Sequence, residues 1–172
     1  KILRDCEKKF NIKTHHRKKK YSKDSTTTIS AIKSCIREMN ISSDENICCI
    51  YPCAVMLNID DLRKTKSILK DNEDYFVIPI KKFPHPIERA LSLSTSNKIK
   101  IIDDKYSNIK TQKTQTFYHD VGQFYWGKAS NWNKANSILK KSIGFLTNRI
   151  EYIDIDTIDD WKLAEKVFKM LK

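Results

Sequence analysis

Residues 118–127 read Tyr-His-Asp-Val-Gly-Gln-Phe-Tyr-Trp-Gly and contain two of the three glycines of the chain. The apolar residues of this stretch fit a β-strand, and the polar triplet Tyr118, His119 and Asp120 precedes them. A glycine inside a strand, here Gly122, is typical of a bulge or of a close approach by a ligand or another backbone. The stretch therefore predicts a strand that forms part of a binding site. The alternative is a strand with a purely structural role.

The length and composition are those of a globular protein with one domain. The chain has 172 residues, of which 40% are hydrophobic and 10% aromatic. No apolar run approaches the roughly 20 residues that a membrane span needs, and no secretory signal is visible. The five cysteines are an odd number without a Cys-x-x-C pair. We expect buried free thiols in a cytoplasmic protein with no membrane partner, and metal ligation by cysteine is the alternative.

The net charge of +12 raises the question of a nucleic-acid partner. Most of the excess is lysine spread along the chain, and only residues 13–23 form a concentrated basic segment. That segment is either a solvated loop or a polyanion-binding loop. A basic nucleic-acid-binding module is thus the distant alternative, and the leading interpretation includes no nucleic acid.

The order of the predicted elements in the first half of the chain indicates an α/β fold. Apolar residues recur at helical spacing at the start of the chain and again in residues 29–39. Residues 47–51 form a continuous apolar run that is typical of a buried parallel strand, and residues 75–80 predict the next strand. A helix that begins near Asn58 separates the two strands. This order predicts a mostly parallel sheet.

The middle of the chain interrupts this order. Pro84 and Pro86 exclude a regular helix or a central strand at that point. Residues 98–102 fit a strand, and residues 107–116 fit a polar loop. We interpret residues 83–120, approximately, as an insertion with mixed or antiparallel strands. It projects from a single domain that covers residues 1–172.

The last part of the chain predicts a strand followed by a helix. Residues 149–155 alternate in polarity, as a strand that returns to the sheet would. Thr157 followed by Asp160 resembles a capping box at the start of a helix. The buried stripe of that helix is predicted to consist of Trp161, Ala164, Val167, Phe168 and Leu171.

Asp154 and Asp156 are the sharpest chemical signal. Residues two apart in a strand point to the same side, so both carboxylates would face the crevice at the carboxyl end of the sheet. Oxygen ligands of this kind suit Mg²⁺, which takes one or two carboxylates together with phosphate oxygens. The alternative is that Asp156 only supports the start of the helix and Asp154 is solvated.

Several motifs resemble the cytidylyltransferases that activate nonulosonic (sialic-type) acids. Residues 118–126 and the run Asp-Ile-Asp-Thr at 154–157 carry the resemblance. Residues 83–91 are similar to the Pro-Ile-Gln-Arg-Ala-Leu segment of the family, and residues 50–54 to its Tyr-Pro-Thr-Ala-Pro turn. Residues 24–28 resemble its Asp-x-x-Thr-x-Thr helix start. The similarity runs nearly end to end and is greatest to the branch that acts on pseudaminic acid.

This resemblance implies a Rossmann-like nucleotidyltransferase fold that uses CTP and Mg²⁺. The reaction would transfer CMP to the anomeric hydroxyl of a nonulosonic acid and release pyrophosphate. Pseudaminic acid is the expected sugar, and N-acetylneuraminic and legionaminic acids are alternatives. The insertion would form the contact of a homodimer.

The resemblance also assigns roles to residues. Asp154 and Asp156 would be catalytic and would hold Mg²⁺. Lys110 and Gln112 match an Asn-x-Arg-Ser-Gln loop of the family, where a basic residue can meet the sugar carboxylate. The substrate-binding residues would be Tyr118, His119, Gln123, Lys110, Gln112 and Arg89, and the nucleotide-binding residues Tyr51 and Pro52.

The chain departs from the family pattern at its start. No glycine precedes Gly122, so the glycine-rich loop that would cradle a triphosphate is missing. We therefore expect an N-terminally truncated chain, and an inactive relative is a further alternative. Cys53 stands at the position of a threonine in the family turn. Lys110 lacks the bidentate geometry of arginine, and Glu88, in place of glutamine, adds negative charge near an anionic sugar.

Overall fold

The structure is a computed structural model that describes residues 2–172, so Lys1 of the predicted domain lies outside the described residues. Helices stand mainly at the two ends of the chain, and the strands from β2 to β6 follow one another in its middle. The helices are α1 (Ile2–Phe10), α2 (Thr28–Glu38), α3 (Ile59–Asp71), α4 (Ala129–Lys134) and α5 (Ile158–Met170). The strands are β1 (Asn46–Ile50), β2 (Phe76–Lys82), β3 (Leu91–Leu93), β4 (Ile99–Ile101), β5 (Tyr118–Asp120), β6 (Phe124–Lys128) and β7 (Ser142–Leu146). The α/β class predicted from the sequence is confirmed.

The main sheet has the strand order β1-β6-β2-β5, and β7 also pairs with β2. A mostly parallel sheet is the expectation, but β2 runs antiparallel to β5, with Ile80 opposite Asp120, and antiparallel to β6, with Val77 opposite Trp126. The physical reason is that residues 83–117, between β2 and β5, contain no α-helix, so the chain lacks the helical crossover that parallel strands need. Because β5 and β6 both run antiparallel to β2, they run in the same direction as each other.

The chain divides into two compact units. The first contains the described residues through Ile50, together with Ile59–Val77 and Tyr125–Ile143. The second contains Tyr51–Asn58, Ile78–Phe124 and Gly144–Lys172. The single domain remains a prediction.

The core of the first unit is built around Trp132, which is fully buried. Its ring meets Phe76 edge-on, with 4.9 Å between centroids. Gly127 makes this packing possible, because a Cβ there would lie 2.6 Å from the Phe76 ring. Helix α2 begins as predicted, with the Thr27 side chain accepting a hydrogen bond from the backbone of Ser30.

The basic segment 13–23 folds against the end of α2 in the same unit. His15 Nε2 lies 3.2 Å from Glu38 Oε2, and Lys18 Nζ lies 3.4 Å from Glu38 Oε1. Hydrogen bonds from Ser34 and then from His15 lower the pKa of Glu38 to about 2. Part of the segment is therefore engaged with the protein itself.

In the second unit, Phe124 is fully buried and meets Tyr152 edge-on. The predicted insertion carries a separate two-stranded sheet, in which β3 and β4 are antiparallel and Leu93 faces Ile99. Both of these side chains are 67% exposed. The antiparallel strands expected for this part of the chain are present.

Two predictions for the end of the chain are wrong. Residues 149–155 form a turn and an extended loop, and the strand of this region is β7, at Ser142–Leu146. The alternating polarity misleads because the loop makes local backbone bonds, such as Ile153 N to Glu151 O at 3.1 Å. The stripe of α5 is only partly buried: Ala164 and Val167 are in the core, whereas Trp161 is 54% exposed.

The cysteines are free thiols, as the sequence predicts. All five cysteines are free and half-buried, and burial raises the pKa of Cys48 to about 12 and that of Cys49 to about 11. Within residues 2–172, no group of three or more His, Cys, Asp or Glu side chains could hold a metal ion. None of the helices in that range has the length and apolar character of a membrane span.

Candidate functional site

The stretch 118–127 forms two strand segments joined at residues 121–123 by a local turn that does not reverse the chain, where the sequence predicts one strand with a glycine inside it. The turn is centred on Gly122, whose φ of +63° lies in the left-handed region that favours glycine. Asp120 stabilises it, because its Oδ1 accepts a hydrogen bond of 2.9 Å from the Gly122 N–H. Asp120, two residues before the glycine, therefore stabilises the backbone conformation of this turn.

The carboxylate of Asp154 lies against this turn. A Cβ on Gly122 would be 2.6 Å from Asp154 Oδ2, so any larger residue would collide with the carboxylate. The Cys53 thiol donates to Asp154 Oδ1 at 3.4 Å and also approaches the Gly122 carbonyl oxygen at 3.8 Å. The room that Gly122 provides is occupied by Asp154.

Gln123 is 1% exposed and connects the turn to the loop that carries Asp154. Its Nε2 donates to the carbonyl oxygen of Ile153 at 3.1 Å and to that of Val121 at 3.3 Å. The backbone carbonyl oxygen of Gln123 accepts a hydrogen bond from the Tyr51 N–H at 2.9 Å. The structure thus brings together Gln123, Tyr51 and Asp154, all three of which the sequence predicts to be site residues.

Lys81 of β2 reaches the same loop. Its Nζ donates to the Tyr152 carbonyl oxygen at 2.9 Å. Burial lowers the pKa of Lys81, and the nearby charge of Glu151 acts in the opposite direction. Sequence reasoning missed this residue, although a lysine directly after the apolar run of residues 76–80 is a signal that could have found it.

Asp156 follows on the exposed side of the loop. Its N–H points to Asp160 Oδ2 at 3.3 Å, and the capping box of Thr157 and Asp160 is present as predicted. Among residues 2–172, neither the Asp154 carboxylate nor the Asp156 carboxylate forms an ion pair. Two exposed carboxylates on one loop are chemically suited to a hard divalent cation.

The residues expected to bind the sugar are spread over several segments. Tyr118 and His119 are neighbours in β5, so their side chains leave opposite faces of the strand. The His119 ring lies 4.9 Å from the ring of Phe83, and its Nδ1 lies 2.9 Å from the Asp120 carbonyl oxygen. Arg89, Lys110 and Gln112 are exposed in the insertion.

A small polar cavity of about 130 Å³ lies where β2 ends and β5 approaches. Lys82, His85 and Thr114 are among its lining residues, with Gln115 beside them. Glu88 accepts a hydrogen bond from the Gln115 N–H at 3.0 Å, and its other carboxylate oxygen is buried without a partner in the part of the chain that the structure describes. From the sequence alone, Glu88 stands out only as a departure from the family.

No family model matches the chain. The chain is 29% identical to the "Pseudaminic acid cytidylyltransferase" of Campylobacter jejuni subsp. jejuni serotype O:2 over 157 residues. These residues make up 90% of this chain and 68% of that protein. The protein of the same name from serotype O:23/36 gives the same identity and coverage.

A third relative is the Helicobacter pylori protein named "Pseudaminic acid cytidylyltransferase and UDP-2,4-diacetamido-2,4,6-trideoxy-beta-L-altropyranose hydrolase". It is 27% identical over 144 residues, which is 83% of this chain and 28% of that longer protein. Three relatives whose names include pseudaminic acid cytidylyltransferase thus match most of the chain.

Proposed function

We propose that the protein is a nonulosonic acid cytidylyltransferase that transfers CMP from CTP to pseudaminic acid, a proposal supported by the similarity of most of the chain to the three relatives. The anomeric hydroxyl oxygen of the sugar forms a bond to the α-phosphorus of CTP. The bond from that phosphorus to the pyrophosphate oxygen breaks, and the hydroxyl proton is released. The observation that carries the proposal is the 29% identity over 90% of the chain.

Mg²⁺ is the cofactor we propose, held by Asp154 and Asp156. The donor set fits, because the ion typically takes one or two carboxylates and completes its shell with phosphate oxygens and water. When bound, it supplies positive charge to the triphosphate. The chain's own contribution is to hold the Asp154 carboxylate beside Gly122 and Cys53.

For the nucleotide and the sugar we propose the residues that the resemblance assigns, with one change of emphasis. Tyr51 and Pro52 approach the nucleotide, and Tyr118, His119, Arg89, Lys110 and Gln112 approach the sugar. The amide of Gln123 is already bonded to two carbonyl oxygens, so its role is better supported as a structural link. We also propose that the sheet belongs to a Rossmann-like nucleotidyltransferase fold, supported by the order β1-α3-β2.

The assembly we propose is a homodimer formed through the insertion. The support is the hairpin of β3 and β4, whose apolar residues Leu91, Leu93 and Ile99 are more than half exposed. We place the reaction in the cytoplasm, where reduced cysteines persist.

The test is pyrophosphate release from CTP and Mg²⁺ with pseudaminic, legionaminic or N-acetylneuraminic acid. We expect release with pseudaminic acid to be the fastest, and the Asp154→Asn variant to be slower by on the order of a hundredfold, because a neutral amide is a poor ligand for Mg²⁺. Full activity of the variant would remove the metal role of Asp154. CTP binding without turnover of any of the three sugars would favour an inactive relative.

A further inference from the structure

The loop that carries Asp154 is held by side chains from two other parts of the second unit. We propose that Lys81 and Gln123 are positioning residues that present the Asp154 carboxylate to the metal–nucleotide complex. This inference rests on the proposed function, because it takes Asp154 to be a metal ligand. It adds two residues that act through another residue and have no contact with the substrate in this role.

Hydrogen bonds from outside the loop reach three of its residues, 152, 153 and 154. Lys81 Nζ donates to the Tyr152 carbonyl oxygen at 2.9 Å, and Gln123 Nε2 donates to the Ile153 carbonyl oxygen at 3.1 Å. The next residue is Asp154, which accepts from the Cys53 thiol. Three consecutive residues are therefore each bonded to a side chain from outside the loop.

The loop needs such bonds because it lacks those of regular structure. Residues 152–156 belong to no helix or strand, so no ladder of backbone hydrogen bonds fixes them. Long side chains from β2 and from the turn before β6 supply the donors instead. A carboxylate that must meet a metal–phosphate complex gains from this, because a displacement of about 1 Å can cost a hundredfold in rate.

The burial and the bonding partners of Gln123 and Lys81 support a positioning role for both residues. Gln123 is 1% exposed, and both hydrogen atoms of its amide point to backbone carbonyl oxygens. Lys81 forms no ion pair within residues 2–172, so its ammonium group is directed to a neutral carbonyl oxygen. Each residue thus withdraws its own polar group from water and uses it to bond the backbone of the loop that carries Asp154.

The experiment removes each donor while keeping the size of the side chain. The variants are Gln123→Met and Lys81→Met, and the matched control is Asn131→Leu. Asn131 is an equivalent case in the first unit, because its amide donates to the carbonyl oxygens of Glu73 at 2.7 Å and Tyr75 at 3.4 Å. The measurements are backbone amide hydrogen exchange in residues 150–157 and the affinity for Mn²⁺, followed by electron paramagnetic resonance.

We expect exchange in residues 150–157 to rise about fivefold in either test variant, the effect of losing one hydrogen bond. The affinity for Mn²⁺ should fall in parallel, and Asn131→Leu should change neither quantity. Exchange in β2 and β6 reports whether each variant is folded. Gln123→Asn, which withdraws the amide by one methylene, provides the same test if Gln123→Met does not fold.

Two results would overturn the inference. One is unchanged exchange in residues 150–157. The other is faster exchange with unchanged Mn²⁺ affinity, in a protein whose Mn²⁺ binding is abolished by Asp154→Asn. Mn²⁺ binding that survives Asp154→Asn contradicts the proposed metal role instead, and hydrogen exchange then decides separately whether Lys81 and Gln123 hold the loop.

Discussion

Gly122 shows how much of the candidate site depends on the absence of one side chain. Its φ of +63° and the 2.6 Å between a built Cβ and Asp154 Oδ2 are two independent reasons for glycine. The sequence indicates that something comes close to this residue, and the structure identifies it as the chain's own carboxylate. A contact across 32 positions of sequence leaves no local pattern, so it could not be predicted.

A substitution at Gly122 tests both reasons for glycine at this position. Gly122→Ala should lower the free energy of unfolding by about 1–2 kcal/mol, the cost of the left-handed conformation for a residue with a Cβ, and should displace Asp154. Urea unfolding and the rate of pyrophosphate release measure the two effects. Gly144→Ala is the control, because its Cβ would meet the Ile80 side chain, nearest at the terminal Cδ1 atom, and not the Asp154 carboxylate. Loss of activity in the control as well would mean that the effect is not specific to Asp154.

At the scale of elements, helices were easier to predict than strands. The caps at Thr27 and Thr157 and the acidic start of α3 are local signals, and all three helices begin where these signals stand. Strand pairing depends on distant partners. The alternation in residues 149–155 predicts a strand, but Tyr152 and Ile153 make local loop hydrogen bonds instead, and the observed strand is β7 at Ser142–Leu146.

The cap of α5 gives a prediction of stability. Thr157→Ala removes the acceptor for the Asp160 N–H and should lower the free energy of unfolding by about 1 kcal/mol. Thr157→Ser keeps the hydroxyl and should lie within a few tenths of the original value. Thermal or urea unfolding of the two variants makes the comparison. Equal losses would show that the methyl group, and not the hydrogen bond, stabilises this helix start.

The end of α2 gives a prediction of pH dependence. The pKa of Glu38 is lowered to about 2 in the folded protein, so the folded state favours the ionised form. Its contribution to stability is present above the unfolded pKa of 4.5 and disappears as the pH falls through about 2. Glu38→Gln should therefore be less stable than the original protein at pH 7 and equally stable near pH 2. A difference that does not change between these pH values would contradict the assignment.

At the scale of the whole molecule, the hairpin of β3 and β4 is the feature that predicts assembly. A two-stranded sheet with exposed apolar side chains on it is marginal alone and gains stability when a partner covers it. The sequence places an insertion here by the prolines at 84 and 86, and its apolar strands are in register. The exposure of these side chains is visible only in the structure.

Charged residues on the β3–β4 hairpin should change the oligomeric state of the protein. The pair Leu93→Lys and Ile99→Lys places two charges at directly opposed positions and should convert a dimer to a monomer in sedimentation velocity. Ser96→Lys, in the turn of the same hairpin, adds charge away from the apolar positions and should remain dimeric. A dimer that survives the double variant would place the interface elsewhere.

The contact between Gly122 and Asp154 also limits how this protein can be recombined with its relatives. The turn before β6 and the loop at 152–154 are bonded to each other across 30 positions of sequence, from Gln123 to Ile153. Neither segment has its observed conformation for local reasons alone. A chimera that takes one segment from a donor with a different turn must take the other as well, and the two behave as a single inherited module.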